Sequence, residues 1–371
     1  MSDKSICIVS SYAYIRNNNN YGALLQYYAL QKYFEKHGIK AFWLRYIEPK
    51  TNILFYLKHL VGREYKSSLF IKELVCHFSF MKFCKRYLNF SPVYSQTKLE
   101  KDSPVADFYM TGSDQVWGGT IKANFLRFVK DNNKKIAFAV SFGREELTEQ
   151  QIAAGVEDWI KDFKAVSVRE KSGLEICRKL NVDAVYLLDP TFLLDKTDYL
   201  QLKKTDKPVK KNYIQCYFLN VKNKADVSFD KIEEFANLNN LKLKVTGVGN
   251  CGMNFPSEYY FYPSPEDWLS SYNNADYIVT NTFHGTVFAI IFQKKFVTLL
   301  QSGTTAQQNT RIHSLLGRFN LLSRICTEAD DLEEKLKSEI DWSAVEHETE
   351  INRKSVADFL CYAGILGARK K

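Results

Sequence analysis

Four short runs in this 371-residue chain have residue types and spacings that could do chemistry. The first is Asn17-Asn18-Asn19-Asn20-Tyr21-Gly22-Ala23. Asn20 can cap a helix there, and Gly22 with Ala23 would let an anion reach the free N–H groups of its first turn. A plain capped helix fits the same residues. The second run is Thr111-Gly112-Ser113-Asp114-Gln115-Val116-Trp117. An apolar strand hands Ser113, Asp114 and Gln115 to one loop; Asp114 can act as a general base toward a hydroxyl, and Trp117 can stack on a sugar face or serve as a core residue. The third is Val166-Ser167-Val168-Arg169-Glu170. An arginine at the end of a buried strand is costly unless it meets an anion. That anion is either a substrate carboxylate or phosphate, or an internal partner such as Glu170 or Asp189. The fourth is Thr280-Asn281-Thr282-Phe283-His284-Gly285-Thr286. His284 sits where a strand gives way to a helix, with Thr282, Gly285 and Thr286 around it. It suits a general acid beside a bound phosphate, and equally a structural histidine. Arg311 and His313 open a later helix and would add positive charge.

The elements that must position these runs alternate between strand and helix patterns, which is the signature of an α/β fold. Ser5–Ser11 reads as a strand, 21–37 as a helix stopped by Gly38, and 41–46 as a second strand. Strands follow at 106–111, 136–141, 165–168 and 184–188. Thr148 with Gln151 forms a capping box for a helix running to about Phe163. Residues 202–211 are polar, Lys-rich and contain Pro208, which marks a linker. Beyond it strands are expected at 213–219, 242–247, 277–280 and 296–299, with helices at 229–238, from Ser264 and Pro265, from His284, and at 308–319. The predicted organisation is therefore an N-terminal doubly wound domain over 1–204 and a C-terminal one over 205–342. A final helix within 343–371 would return to the first domain. In such sheets ligands bind beyond the carboxyl ends of the strands, so a cleft between the two domains is the expected site.

Composition narrows the function classes. The chain carries 51 Lys and Arg against 42 Asp and Glu, a formal net charge of +9. With 26 Phe, 22 Tyr and 5 Trp it is not disordered, and no apolar run is long enough to span a bilayer. The N-terminus has no signal-peptide core, so a cytoplasmic location is expected. The eight cysteines include no C-x-x-C and read as free thiols, and the six histidines form no zinc pattern. No metal or cofactor is expected. No G-x-x-x-x-G-K-[ST] phosphate loop and no G-x-S-x-G elbow occurs, and kinase, dinucleotide and flavin roles are disfavoured. Between Lys50 and Glu100 there are nine Lys or Arg against three Glu, interleaved with aromatic and aliphatic residues at helical spacing. That segment is a helical insertion: a surface for an anionic membrane or a lipid-linked anionic substrate, or an ordinary solvated basic face. Nucleic acid is not expected as a partner, for want of a binding motif.

The runs that could do chemistry also carry a resemblance. Asn20-Tyr21-Gly22-Ala23-Leu24-Leu25-Gln26, Gly112-Ser113-Asp114-Gln115-Val116-Trp117, Ser167-Val168-Arg169-Glu170, Leu188-Asp189-Pro190-Thr191, Phe283-His284-Gly285-Thr286 and Arg311 followed by Leu315-Leu316 occur in an order that resembles the polysaccharide pyruvyl transferases of bacterial surface-glycan pathways. The resemblance implies two Rossmann-like domains facing a cleft, similar to the glycosyltransferase B architecture. It implies transfer of pyruvate from phosphoenolpyruvate to a hexose such as galactose, on a polyprenyl-diphosphate-linked or polymeric glycan, forming a cyclic ketal and releasing phosphate. Arg169 matches the family's anion-binding arginine and His284 its catalytic histidine. Asp114 would sit near the acceptor hydroxyls, with Asn20, Tyr21, Gly22, Ser113, Gln115, Trp117, Thr282, Gly285 and Thr286 in the substrate site. Some members carry an arginine at the position of Thr282; Arg311 is the candidate replacement. A lipid-linked acceptor would give the basic insertion a place on the inner membrane face. The alternatives are a nucleotide-sugar glycosyltransferase and a non-catalytic scaffold of glycan assembly.

Overall fold

The computed structural model describes residues 4–10, 20–46, 67–202, 211–221, 223–248, 255–328 and 330–367. The expectations that fall on residues 17–19, on 50–66 of the basic segment and on 203–210 of the linker lie outside the described residues.

Seven strands form one sheet. They are β1 (Ser5–Val9), β2 (Lys40–Tyr46), β3 (Phe90–Tyr94), β4 (Phe108–Thr111), β5 (Lys135–Val140), β6 (Ala165–Val168) and β7 (Ala184–Tyr186), in the spatial order β3-β2-β1-β4-β5-β6-β7. Five more form a second: β8 (Tyr213–Leu219), β9 (Lys242–Val248), β10 (Tyr277–Thr280), β11 (Lys295–Leu299) and β12 (Ile325–Cys326), ordered β12-β11-β10-β8-β9. All pairings between these strands are parallel. Parallel strands need helical crossovers that cover both faces, which is why the central strands are apolar almost throughout. In β1, Ile6 and Ile8 enter one core while Cys7 and Val9 enter another on the opposite face, as a period of two requires.

Strand order reverses between β1 and β4 in the first sheet, and between β8 and β10 in the second. These are the two switch points, and the loops after β1, β4 and β10 carry Asn20 to Gly22, Ser113 with Asp114, and Thr282 to His284. At the neighbouring end of β5 the ladder slips between Ala137 and Val140, with Ala139 at φ 47°. Ser167 Oγ closes this bulge by accepting from Ala139 N at 2.9 Å and donating to Ala137 O at 3.0 Å. The bulge lets Val140 bridge to Asp114, and Ser141 N donates to Asp114 O at 3.0 Å.

Two strands were not expected. β3 contains Pro92, which reads as a break, but it lies at the sheet edge where a missing N–H is tolerated. β12 is only two residues long. The helix expected from Thr148 to about Phe163 is split: Gly155, at φ 75°, separates Glu149–Ala153 from Val156–Lys161. Against the expectation that no dinucleotide fingerprint occurs, Gly247-Val248-Gly249-Asn250-Cys251-Gly252 after β9 matches G-x-G-x-x-G. Residues 249–254 of it and beyond lie outside the description, and the next described helix starts only at Pro265.

The lobes share a core. Tyr21, at the start of the Tyr21–Lys36 helix, stacks on Trp268 of the second lobe with ring centroids 5.0 Å apart, and its hydroxyl donates to Pro263 O at 2.8 Å. The Trp342–Tyr362 helix packs on the first lobe. Asn352 Oδ1 accepts from Leu188 N at 2.8 Å, Arg353 Nε donates to Phe192 O at 3.1 Å, and Phe359 meets Phe138.

Candidate active site

The switch points of the two sheets meet through a histidine and a glycine. His284 lies in the first turn of the Phe283–Ile291 helix, whose cap is Thr282: its Oγ1 accepts from Gly285 N at 2.9 Å. Across the cleft stands the first turn of the Tyr21–Lys36 helix, capped by Asn20 Oδ1 accepting from Ala23 N at 3.1 Å. A Cβ at position 22 would overlap the His284 Cβ and imidazole, so only glycine lets the two helix ends approach. Gly285 is similarly required, because a Cβ there would strike the hydroxyls of Thr280 and Thr282.

Below His284 lies a buried charge network. Arg169 has no side-chain exposure; its Nη1 donates to Asp189 Oδ2 at 2.6 Å and to Ser113 Oγ at 3.1 Å, and its Nη2 to Asp114 Oδ1 at 3.1 Å. Ser113 Oγ donates in turn to Asp189 Oδ2 at 2.9 Å. The other Asp189 oxygen accepts from Thr191 N at 3.1 Å and Thr191 Oγ1 at 2.8 Å. His284 Nε2 is 3.4 Å from Asp189 Oδ2, near enough for electrostatic pairing but without hydrogen-bond alignment. The loop is held from behind: Ser10 Oγ donates to Ser113 O at 2.8 Å, as does Gln26 Nε2 at 3.4 Å. Glu170 is buried, accepting from Ser141 Oγ at 2.7 Å and from the amides of Phe142 and Gly143 at 2.9 and 2.8 Å.

Burial alone would raise both aspartate carboxyls. For Asp189 the His284 imidazole and then Arg169 outweigh burial and hold it well below the usual range. For Asp114 the opposing groups are Arg169, His284 and Arg311. Both are therefore carboxylates at neutral pH. Burial disfavours the Arg169 cation, but Asp189, Asp114 and Glu170 more than offset it and keep the guanidinium charged.

Arg311 is different. It is 6% exposed, yet no carboxylate among the described residues pairs with it. Its Nη2 donates to Gln308 Oε1 at 3.0 Å, and its Nε is buried with no partner. Burial and then Arg169 push its guanidinium down to about 10 against the opposing pull of Glu170, Asp114 and Asp189, still cationic at neutral pH. The Phe283 ring is close to both arginines, its centroid 4.5 Å from Arg169 Cζ and 5.6 Å from Arg311 Cζ.

The structure thus brings Arg169, Asp114, Ser113, His284 and Arg311 together, with Gly22 and Gly285 making room. It gives other expected site residues different work. Trp117 is fully buried, stacked on Phe125, with Nε1 donating to Asn124 O at 3.2 Å, so it offers no face to a sugar. Tyr21 is part of the lobe interface. Thr282 is a helix cap, and Thr286 bonds to Thr298 Oγ1 at 2.8 Å inside the second lobe. The Gln115 side chain lies against Gly143. His313 is exposed and adds nothing to the network. Asp189, expected only as one of two possible internal partners of Arg169, is the hub of the network. Its signal was a strand-end Asp-Pro-Thr turn, in which Pro190 starts a 3-10 turn capped by Asp189 itself. Phe283 carried no signal beyond preceding His284.

Solved structures share this architecture. A UDP-N-acetylglucosamine 2-epimerase matches at 10% identity with a TM-score of 0.50, covering 100% of this chain and 99% of that one. UGT89C1 of Arabidopsis thaliana, complexed with UDP-L-rhamnose, matches at 10% identity and TM-score 0.49 over 97% of this chain and 100% of that one. The UDP-GlcNAc 2-epimerase of Methanocaldococcus jannaschii matches at 10% identity and TM-score 0.47, over 95% and 99%. The likeness shows the fold: two Rossmann-like lobes of the glycosyltransferase B type. No curated protein matches the chain. A family model, polysaccharide pyruvyl transferase, matches residues 20–302, and the chain belongs to that family.

The expected reaction, pyruvyl transfer from phosphoenolpyruvate to a hexose such as galactose, is corrected. The similar structure whose TM-score reaches 0.50 is a UDP-N-acetylglucosamine 2-epimerase. Within the site, the guanidinium expected to bind the donor anion, Arg169, is already neutralised by Asp189 and Asp114.

Proposed function

We propose that the chain is a transferase of surface-polysaccharide assembly whose donor is a nucleotide sugar. The observation that carries this reading is Arg311: a buried guanidinium that no carboxylate among the described residues contacts, beside a His–Asp pair at two opposed switch points. Glu170, Asp114 and Asp189 act on it only from beyond ion-pair distance, and a buried cation with no counter-charge in contact is costly unless a ligand supplies one. The diphosphate of a nucleotide sugar supplies it, and the amide end of the Phe283–Ile291 helix adds partial positive charge.

In this mechanism an acceptor hydroxyl attacks the anomeric carbon of the donor. The new C–O bond forms as the bond from that carbon to the phosphate oxygen breaks, and the electron pair leaves on the nucleoside diphosphate. The hydroxyl proton passes to the His284 imidazole, and the nearby Asp189 carboxylate stabilises the cation that forms. Asp114, held ionised, accepts a hydrogen bond from the acceptor sugar. Arg169 is a positioning residue that fixes both carboxylates. The acceptor is a hexose of a polyprenyl-diphosphate-linked glycan, in keeping with the polysaccharide family. Among the described residues no helix is long and apolar enough to cross a membrane, so such an acceptor would be met at its surface.

Thermal-shift and calorimetric titration with a panel of UDP- and dTDP-sugars, each against phosphoenolpyruvate, tests the donor. Stabilisation by a nucleotide sugar, lost in Arg311→Ala, is expected. Stabilisation by phosphoenolpyruvate and by no nucleotide sugar would overturn the reading.

A further inference from the structure

The Ser67–Tyr87 helix is apolar on two opposite faces. One face is packed: Cys76, Phe80, Phe83 and Cys84 are buried, with Tyr21 Oη 3.3 Å from Cys76 Sγ and the Tyr21 and Phe80 rings 4.8 Å apart. The other is not. Ile71, Leu74, Val75, Phe78 and Met81 follow helical spacing and are 61%, 37%, 62%, 60% and 55% exposed. Five large apolar side chains in one exposed stripe make a patch that a free aqueous surface does not keep. Lys82, Lys85 and Arg86 continue the same side of the helix for its next turn and are also exposed. Glu73 is the helix's single acid. Beside the stripe opens a cavity of about 520 Å3, lined by Met81, Leu88 and Phe90 with Arg45 and Lys85. Met81 and Lys85 belong to both stripe and cavity, so the two form one apolar surface bordered by cations.

We propose that this surface docks the protein on an anionic lipid bilayer, with the stripe in the headgroup–acyl boundary and the cations on lipid phosphates. Charge decides the occupant. A second copy of the same face would cover the apolar stripe but brings only Glu73 from this helix to answer Lys82, Lys85 and Arg86. A nucleic acid would answer the cations but leave Ile71, Val75 and Phe78 in water. An anionic bilayer answers both at once, and apolar burial with electrostatic attraction is the pair of signals that surface-bound helices use. The docking is independent of which donor the cleft takes.

Vesicle flotation of the full chain tests it, using phosphatidylcholine alone and phosphatidylcholine with about one-third phosphatidylglycerol. The wild type should float with the anionic vesicles and bind the neutral ones at least about tenfold more weakly. Lys82→Glu/Lys85→Glu/Arg86→Glu should lower anionic-vesicle affinity by about a hundredfold. Phe78→Glu/Met81→Glu should abolish flotation although every lysine is intact. All five side chains are exposed, so the thermal midpoint of each variant should match the wild type. Failure of the wild type to float with anionic vesicles overturns the proposal. So does flotation indifferent to Phe78→Glu/Met81→Glu, which would mean counter-charge alone. A concentration-dependent dimer that those substitutions dissolve, without flotation, would assign the face to a second copy instead.

Discussion

Arg169 and Arg311 both approach the Phe283 ring, are both buried, and do opposite things. Arg169 is neutralised inside the protein, so its loss is a stability defect. Arg169→Ala leaves Asp189 and Asp114 buried without their cation and should cost about 3–5 kcal/mol in urea unfolding. Arg311 has no such partner, so its loss is a binding defect. Arg311→Ala should leave urea stability unchanged or slightly raised, while weakening nucleotide-sugar binding by about tenfold or more, the loss of a charge-assisted contact. The aspartates set an acid limit. Both carboxyls are depressed in the folded state, so they contribute stability that is fully present above the unfolded value of about 4. That contribution is lost as pH falls below it toward the folded values. The thermal midpoint should therefore hold from neutral pH down to about 4 and then drop. In Asp189→Asn, already less stable, the acid limb should be shallower.

At the scale of elements, the same polar residues at strand ends prove to be of two kinds. Thr282 and Asn20 cap the opposed helices, while Trp117 anchors the loop after β4 to its own lobe. Trp117→Ala should cost about 3–5 kcal/mol of stability, as for other buried aromatics, with no selective effect on acceptor KM once the protein is folded. An acceptor-specific rise in KM at unchanged stability would restore Trp117 as a sugar platform. Thr282→Ala should cost about 1 kcal/mol, the value of one N-cap. Capping was legible in the sequence because it is local: Thr148 with Gln151 and Ser264 with Pro265 start helices as their spacing indicates. The break at Gly155 was not, since a glycine inside a helical pattern is tolerated or not according to what packs around it.

At the scale of the molecule, one hydrophobic cluster runs from Ile6 and Tyr21 through Trp268 and Phe288 to Phe359 and Leu360. The lobes are therefore not independent folding units. Thermal or urea unfolding should show a single transition, and truncation before Trp342 should lower the stability of the whole chain, since it uncovers Phe138 and removes the Asn352 and Arg353 contacts to the loop that holds Asp189. Two separate transitions in the wild type, one unaffected by the truncation, would contradict a shared core.

The sequence by itself determined what depends on neighbours along the chain. Strand and helix alternation, the caps, the basic aromatic segment and the placing of Asp114, Arg169 and His284 at strand ends all follow from patterns within a few residues. The tertiary structure alone decided what depends on residues far apart. Asp189 and Asp114, 20 and 55 positions from Arg169, turned an expected anion receptor into a neutralised anchor. Arg311 became the open cation because, among the described residues, Glu170, Asp114 and Asp189 stand near it but none comes within ion-pair distance. A guanidinium looks the same in sequence whether or not it has a partner, since pairing and burial are properties of the packed chain.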